Sequence, residues 1–343
     1  MQDGGKRMNS LQTFFTRRNK YFLLAGFGIL LIVAIVISLL VGSVKMPPGQ
    51  VLDALMGRDR ESTMSRIILY SRLPRTCAAF LAGAALAVAG VVIQTVLNNP
   101  LASPSIIGVN SSAGFAVAFV CAFWPAAQRY TPFIAFFGAL AGVLLVMALS
   151  QSTVAARITV VLAGVAISNL FSAGIDAVVT LVPDALNSVS DFRIGGFTGV
   201  TMSQLGPAAA IIAISLIIVF SLAHQLDILA LGTDTAKSLG LAVGRMRIVF
   251  LVLAAALAGA AVSFCGLIGF VGLIVPHAMR RIVGEDNGIL LVASAMGGSF
   301  FVLICDLIAR VLFAPFEIPV GIVLSFAGAP FFLWLLFKQR GGR

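Results

Sequence analysis

Arg72-Leu-Pro-Arg-Thr76 leads into Leu81-Ala-Gly-Ala-Ala85 and Gly90, and the stretch closes on Asn98-Asn-Pro-Leu-Ala-Ser-Pro104 and Gly108. An arginine-rich turn thus enters an apolar span that ends in a proline-broken polar corner. The pattern returns far downstream. Leu257-Ala-Gly-Ala-Ala261, Gly266, Leu273, Pro276 and Gly284 match Leu81–Ala85, Gly90, Leu97, Pro100 and Gly108 at one offset, 257 − 81 = 176 and 284 − 108 = 176. Two copies of a helix–break–helix unit in an apolar chain point to a membrane transporter built from repeats.

Composition agrees. A mean hydropathy of +1.06, with 59% hydrophobic and only 10% charged residues, excludes an ordinary soluble domain. The net charge of +10 does not mark a nucleic-acid binder, because the basic residues sit mainly at the ends of apolar runs, as membrane orientation requires. Cys77, Cys121, Cys265 and Cys305 are far apart, each in or beside an apolar run, and read as small core residues. Residues 1–20 are polar and carry Lys6, Arg7, Arg17, Arg18 and Lys20. The run from Tyr21 to Val41 is too long for the core of a cleaved signal peptide and ends in no small-residue cleavage site, so it reads as a first transmembrane helix.

A span needs about 20 apolar residues, fewer where a helix is broken. That measure predicts an all-α polytopic membrane protein with ten helices near 21–42, 74–97, 106–126, 131–150, 159–182, 205–223, 247–267, 269–283, 289–313 and 318–337. The expected organisation is a single permease domain over 21–338, with cytoplasmic tails at 1–20 and 339–343. Ten spans place both ends on one side. With that side cytoplasmic, 14 of the 23 basic residues lie inside and nine outside, the direction of the positive-inside rule. The outer nine include Arg72, Arg75 and Arg310. The repeat copies fall on helices two and seven, five spans apart, so they run oppositely and the repeat (helices 2–5 and 7–10) is inverted.

Nothing in the chain supports an enzyme. It has no G-x-x-x-x-G-K-[ST] loop, no ligand spacing around His224 or His277, and no nucleophile–base arrangement. Ion-coupled transport would need an acid at membrane depth. The nearest are Asp176 and Asp306, both toward span ends, and Asp306 stands four residues before Arg310, where a helix pairs them. Gln94, Asn98, Asn99, Ser168 and Asn169 are the amides and hydroxyls available to line a wet path. The loop Leu229-Ala-Leu-Gly-Thr-Asp-Thr-Ala-Lys-Ser-Leu-Gly-Leu241, within a polar segment over about 226–246, reads as a short helix outside the bilayer. Ala236 and Leu239 fall on one face of it, and Gly240 stops it.

These segments together resemble the FecCD-type permease subunits of ABC importers for iron–siderophores, haem and cobalamin. The resemblance runs from about Arg72 to Lys338. It rests on Arg72-Leu-Pro-Arg75, Gly83-Ala-Ala-Leu-Ala87, Gln94, Asn99-Pro-Leu-Ala-Ser-Pro104 with Ile107-Gly-Val109, and Leu162-Ala-Gly-Val-Ala166. Gly195-Gly-Phe197, Leu229-Ala-Leu-Gly232, Gly266-Leu-Ile-Gly-Phe-Val-Gly-Leu-Ile-Val-Pro-His277, Asp306 with Arg310, Glu317-Ile-Pro-Val-Gly321 and Gly328-Ala-Pro-Phe-Phe332 complete it. It implies two permease subunits, identical or paralogous, around one pathway in the cytoplasmic membrane. It also implies two cytoplasmic ATPases that use the ATP, an external binding protein, and no cofactor on this chain. Arg72, Arg75 and Arg310 would receive acidic residues of the binding protein. Gly232, Thr233, Asp234, Ala236, Leu239 and Gly240 would contact the ATPase, with Thr233-Asp234 where relatives commonly have a glutamate directly after the glycine. Gln94 would lie on the path, and Asn99 and Leu101 would help form the cytoplasmic gate. The other gate element, the loop with Ser152, Thr153 and Arg157, is less alike. Phe192 stands where some relatives have tryptophan.

The resemblance implies ATP-driven import of an iron–siderophore complex by alternating access, with haem or cobalamin as alternative cargo. An ion-coupled secondary transporter would instead need an essential intramembrane carboxylate and no ATPase, and a bare membrane anchor would tolerate a sealed pathway.

Overall fold

A computed structural model describes residues 17–42, 47–58, 62–150 and 156–340, and every regular element among them is helical. In chain order the α-helices are α1 (Arg17–Leu40), α2 (Pro48–Leu55), α3 (Thr63–Ile67), α4 (Leu73–Leu97), α5 (Val109–Phe123), α6 (Thr131–Ser150), α7 (Ala156–Leu181) and α8 (Leu186–Ile194). They continue with α9 (Met202–Ser221), α10 (Ala223–Ala230), α11 (Thr233–Ser238), α12 (Val243–Cys265), α13 (Val271–Val283), α14 (Asn287–Val311) and α15 (Val320–Arg340). Ten of these, α1, α4–α7, α9 and α12–α15, stand where hydropathy predicts spans. Seven are long and apolar enough to cross a membrane, α5 and α15 are shorter apolar helices, and α13 has only 13 residues.

Of the remaining helices only α11 was predicted, as the short helix of the polar loop; α2, α3, α8 and α10 were not. The segment Leu186–Ile194, for example, carries Asn187, Ser188, Ser190, Asp191 and Arg193, too polar for a search for apolar windows. Between α3 and α4 the chain passes through a π turn, Ile68–Arg72, a widened turn of the kind that frequently stands at functional sites.

Hydrogen bonds fix the relative directions of the spans. Arg75 near the start of α4 meets Asp306 near the end of α14, and Thr95 near the end of α4 meets Asn287 at the start of α14. Those two helices are therefore antiparallel. The start of α12 is tied through Arg247 to Thr233 of α11, just beyond α10, whose Asp227 binds Asn287. The end of α12 lies at the opposite pole: Gly196 N–H donates to Cys265 O, Gly321 N–H donates to Gly195 O, and nearby Glu317 pairs with Arg75. So α12 runs against α4, and the repeat is inverted.

Small residues make the core. Windows of α4 and α12 are 83% and 78% buried, against 22% for α1 and for α7. Lipid is as apolar as leucine, so helices associate in it by close backbone approach at small residues. A Cβ added to Gly83 would lie 2.3 Å from Gly298 O, and one on Gly90 2.0 Å from Gly272 O. Gly259, the repeat partner of Gly83, packs instead on α6, where its Cβ would meet Ala139 at 3.1 Å. Each central helix thus packs on the third helix of a repeat: α4 on α14 of the other copy, α12 on α6 of the other copy.

The copies part company after the LAGAA core. Helix α4 continues through Gly90 to Leu97, whereas α12 ends at Cys265 because Gly266 takes φ +69°. A side chain there would come within 2.5 Å of Phe192 O, which instead accepts from Leu267 N–H at 2.9 Å. Downstream, Pro100 lies in a turn while Pro276 lies inside α13. Gly108 starts α5 while Gly284 ends α13. The constant sequence offset therefore marks structural equivalence only in the helical core.

Candidate functional site

At the pole where α4 begins, the three predicted docking arginines lie below the surface. Arg75 (7% exposed) donates from Nε to both oxygens of Asp306, at 3.0 and 3.2 Å, and from Nη1 to Glu317. Arg310 (2% exposed) forms the i,i+4 pair with Asp306 at 3.0 Å that its spacing predicts. It also donates to Ser38 O and Ser38 Oγ at 3.1 and 2.7 Å. Arg72 caps the end of α1 by donating to Leu39 O and Leu40 O, both at 2.8 Å. Asp306 is fully buried, and two guanidiniums are what make a charge there tolerable. Asp176, the other acid considered for ion coupling, is exposed and pairs with exposed Arg193 at 3.1 Å.

At the opposite pole Gln94, buried in the last turns of α4, donates to Gly272 O (3.1 Å) and accepts from Arg280 Nη1 (2.9 Å). Asn98 takes the left-handed conformation at φ +47° and ends α4. Asn99 Oδ1 then accepts from Leu101 N–H at 3.0 Å, an Asx turn that holds the broken corner. Beside it lies a cavity of about 250 Å³, lined by Gln94, Asn98, Asn99, Arg280, Glu285 and Asn287. Leu101 is half-buried next to the turn. Ser152, Thr153 and the Arg157 side chain lie outside the described residues. So do most of the tail 1–20 and the last three residues.

The polar loop does form a short helix, α11, between Gly232 (φ +103°) and Gly240 (φ +82°). Thr233 Oγ1 accepts from Arg247 of α12 at 2.8 Å, and Asp234 is exposed in the first turn. Ala236 and Leu239 do not share a face. Ala236 is fully buried, while Leu239 is 59% exposed, because the helix closes at Ser238 and Leu239 falls in its cap. Leu231 is also exposed, at 60%, so two bare leucines flank α11.

A third surface is the outward face of α7. Leu162, Val165, Ala166, Asn169, Leu170, Ala173, Asp176, Ala177 and Thr180 are all exposed, and their spacing of three and four places them on one side of the helix. Residues 30–338 match the FecCD transport family. The chain belongs to that family. Among relatives, it is 36% identical over 329 residues to the Fe(3+)-citrate import system permease protein YfmE of Bacillus subtilis (strain 168), covering 95% of this chain and 98% of that one. It is 36% identical over 324 residues to the hemin transport system permease protein HmuU of Yersinia pestis, with 92% and 96% covered. A solved inward-facing structure of the metal-chelate type of ABC transporter superposes with a TM-score of 0.80 at 28% identity, covering 93% of this chain and 99% of that chain.

As a FecCD family member the chain is a permease subunit of an ATP-driven importer and a multi-pass membrane protein; ATP hydrolysis belongs to a separate subunit, and a binding protein is the other partner. The family's glycines now have local causes. Gly195 (φ +74°) and Gly266 sit where the ends of α8 and α12 exchange backbone hydrogen bonds, and a Cβ on Gly321 would lie 1.9 Å from Ile194 O. Phe192 contributes its carbonyl to this junction, and its ring packs against the core. Sequence reasoning missed Arg280 as the partner of Gln94, and Asp227 as the partner of Asn287. Arg280 was visible only as one more inner charge, four residues past Pro276.

Proposed function

We propose that the chain moves a ferric chelate into the cytoplasm as one of two permease subunits, identical or paralogous. In this reading an ATPase docks at each α11, a binding protein docks at the Arg75 pole, and both chain ends face the cytoplasm. The outward face of α7 carries it. A lipid-facing side would be uniformly apolar at mid-span, and this one carries the exposed amide of Asn169 near the middle of α7. Polar groups at membrane depth face a bundle interior or a water-filled path, so a second permease subunit opposite this face completes the path. The chelate reading rests on the relatives, which are permeases for ferric citrate, hydroxamates and hemin.

Arg72, Arg75 and Arg310 then form the floor of the binding-protein site. Glu317, with 28% of its side chain exposed, is the group that an incoming carboxylate would displace from Arg75. Charge pairs of this kind steer encounter more than they add affinity, so docking should weaken as salt is raised. At the other pole Asn99 and Leu101 close the gate, with Gln94 on the path behind it.

The deciding experiment is gentle purification from the native membrane with mass spectrometry of the co-purifying chains. A P-loop ATPase in one-to-one ratio is expected, and a second permease chain distinguishes heterodimer from homodimer. A chain that purifies alone, with no ATP-driven uptake by its vesicles, would overturn the reading. Cargo is read from uptake of ferric citrate, a ferric hydroxamate, haem and cobalamin side by side. Two further outcomes are expected. Leu239→Glu should strip the ATPase from the complex by replacing an apolar contact worth about 1.5–3 kcal/mol. A cysteine at Asn169 should react with a membrane-impermeant maleimide while one at Ile217, 67% exposed on the apolar helix α9, stays unlabelled; equal labelling would count against an aqueous path along α7.

A further inference from the structure

Asp227 lies on α10, six residues ahead of α11. Its Oδ1 accepts two hydrogen bonds from Asn287, one from the backbone N–H at 2.9 Å and one from Nδ2 at 2.8 Å. Asn287 is 2% exposed and is the first residue of α14, whose terminal N–H groups have no partner within the helix. Its own Oδ1 accepts a longer bond, 3.4 Å, from Thr95, the neighbour of Gln94. The same asparagine lines the cavity beside Asn99. From here α14 runs without a proline to Asp306 and Arg310, roughly 29 and 35 Å away at about 1.5 Å per residue.

We infer that Asp227 is a positioning residue, fastening the segment before α11 to the inner end of α14 so that movement at α11 reaches both the gate cavity and the buried arginine cluster. This rests on the proposed ATPase contact at α11. Apolar packing of Leu226 and Leu229 also holds α10 in place, but it is non-directional. The carboxylate is the contact that fixes the register of α10 against the first turn of α14. A helix already packed along its length moves as a unit, which is the physical element that coupling between distant sites requires.

The test uses the whole complex purified with its ATPases and needs no cargo. A cysteine at Phe316, 78% exposed beside Glu317, reports the arginine pole through its rate of reaction with an impermeant maleimide, with and without ATP and vanadate. With Asp227 intact the rate should change on trapping by about tenfold, within the range of ordinary coupling between sites. Asp227→Ala should abolish that change while ATPase content and basal hydrolysis persist. Asp227→Asn, whose amide oxygen still accepts, should retain it. Asn287→Asp sets two carboxylates face to face and should abolish it, and Asp227→Asn combined with Asn287→Asp should restore it. The inference is overturned if Asp227→Ala leaves the change intact, if the double variant fails to restore it, or if the F316C rate never responds to trapping. Loss of the ATPase from the D227A complex would also overturn it, making Asp227 part of the docking contact. The α11 contact itself stands or falls separately, on whether Leu239→Glu keeps its ATPase.

Discussion

Replacing Asp306 with alanine should leave the chain unable to accumulate as a folded membrane protein. The carboxylate is fully buried and takes hydrogen bonds or ion pairs from Arg75 on α4 and Arg310 on its own helix. Its removal leaves Arg310 with only neutral acceptors and Arg75 with Glu317 alone. Breaking a buried pair from one side costs about 3–5 kcal/mol because the remaining charge is uncompensated. That is comparable with the whole stability of many domains, about 5–15 kcal/mol. Thermal unfolding in detergent, followed by size-exclusion profile, would measure it, and an unchanged melting point for Asp306→Ala would refute the account. Asp176→Asn is the matched control. Its partner Arg193 and the acid itself are about half and two-thirds exposed, and exposed pairs are worth about 0–1 kcal/mol. Assembly and uptake should both survive; loss of uptake with intact assembly would revive ion coupling through that carboxylate.

Gly90→Val is the second large effect. Even the first added carbon would sit 2.0 Å from Gly272 O and 2.6 Å from Gly272 Cα, and both are backbone atoms of a neighbouring element that cannot swing aside. The two helices would have to separate, and they do so at the centre of the protein, where α4 is almost wholly buried. Overpacking a core costs typically about 1–3 kcal/mol where side chains can give way, and a backbone contact lies at or beyond the upper end. The expected result is loss of the monodisperse folded species, with Gly83→Val at the Gly298 crossing behaving alike. Gly206→Ala on α9, where nothing lies within 4 Å, should instead be neutral or stabilising by about 0.5–1 kcal/mol. If Gly90→Val and Gly206→Ala melt together, close approach is not what the core glycines provide.

Much of this architecture was legible in the chain. Hydropathy depends on each segment's own residues, so a helix stands at each of the ten predicted spans, most within a few residues of their ends. Gly240 marked a helix end because positive φ is a local demand that glycine meets at little cost. The pair Asp306–Arg310 was legible for the same reason: four residues on a helix is a fixed distance. Where a reading failed, a boundary moved. Leu239 was placed on one face with Ala236, and a helix one residue shorter put it outside. The repeat was read as continuous to Gly284, but α8 supplies hydrogen-bond partners at Gly266 and nothing equivalent breaks α4 at Gly90.

By itself the sequence determined an all-helical membrane protein, its inverted core of LAGAA helices, and its membership among importer permeases, because hydropathy, period and motif order are properties of neighbours along the chain. Only the tertiary structure decided where the charges go. Arg75 meets Asp306 across 231 positions and Gln94 meets Gly272 across 178. No local pattern encodes such a pairing, since it depends on which helices cross and at what height. Arg72 and Arg75, which read as outer docking charges, are therefore buried and bonded within the chain beside Arg310. The physical reason is that a charge in a low-dielectric interior persists only where packing brings a partner to it, and packing is the sum of all the helices at once.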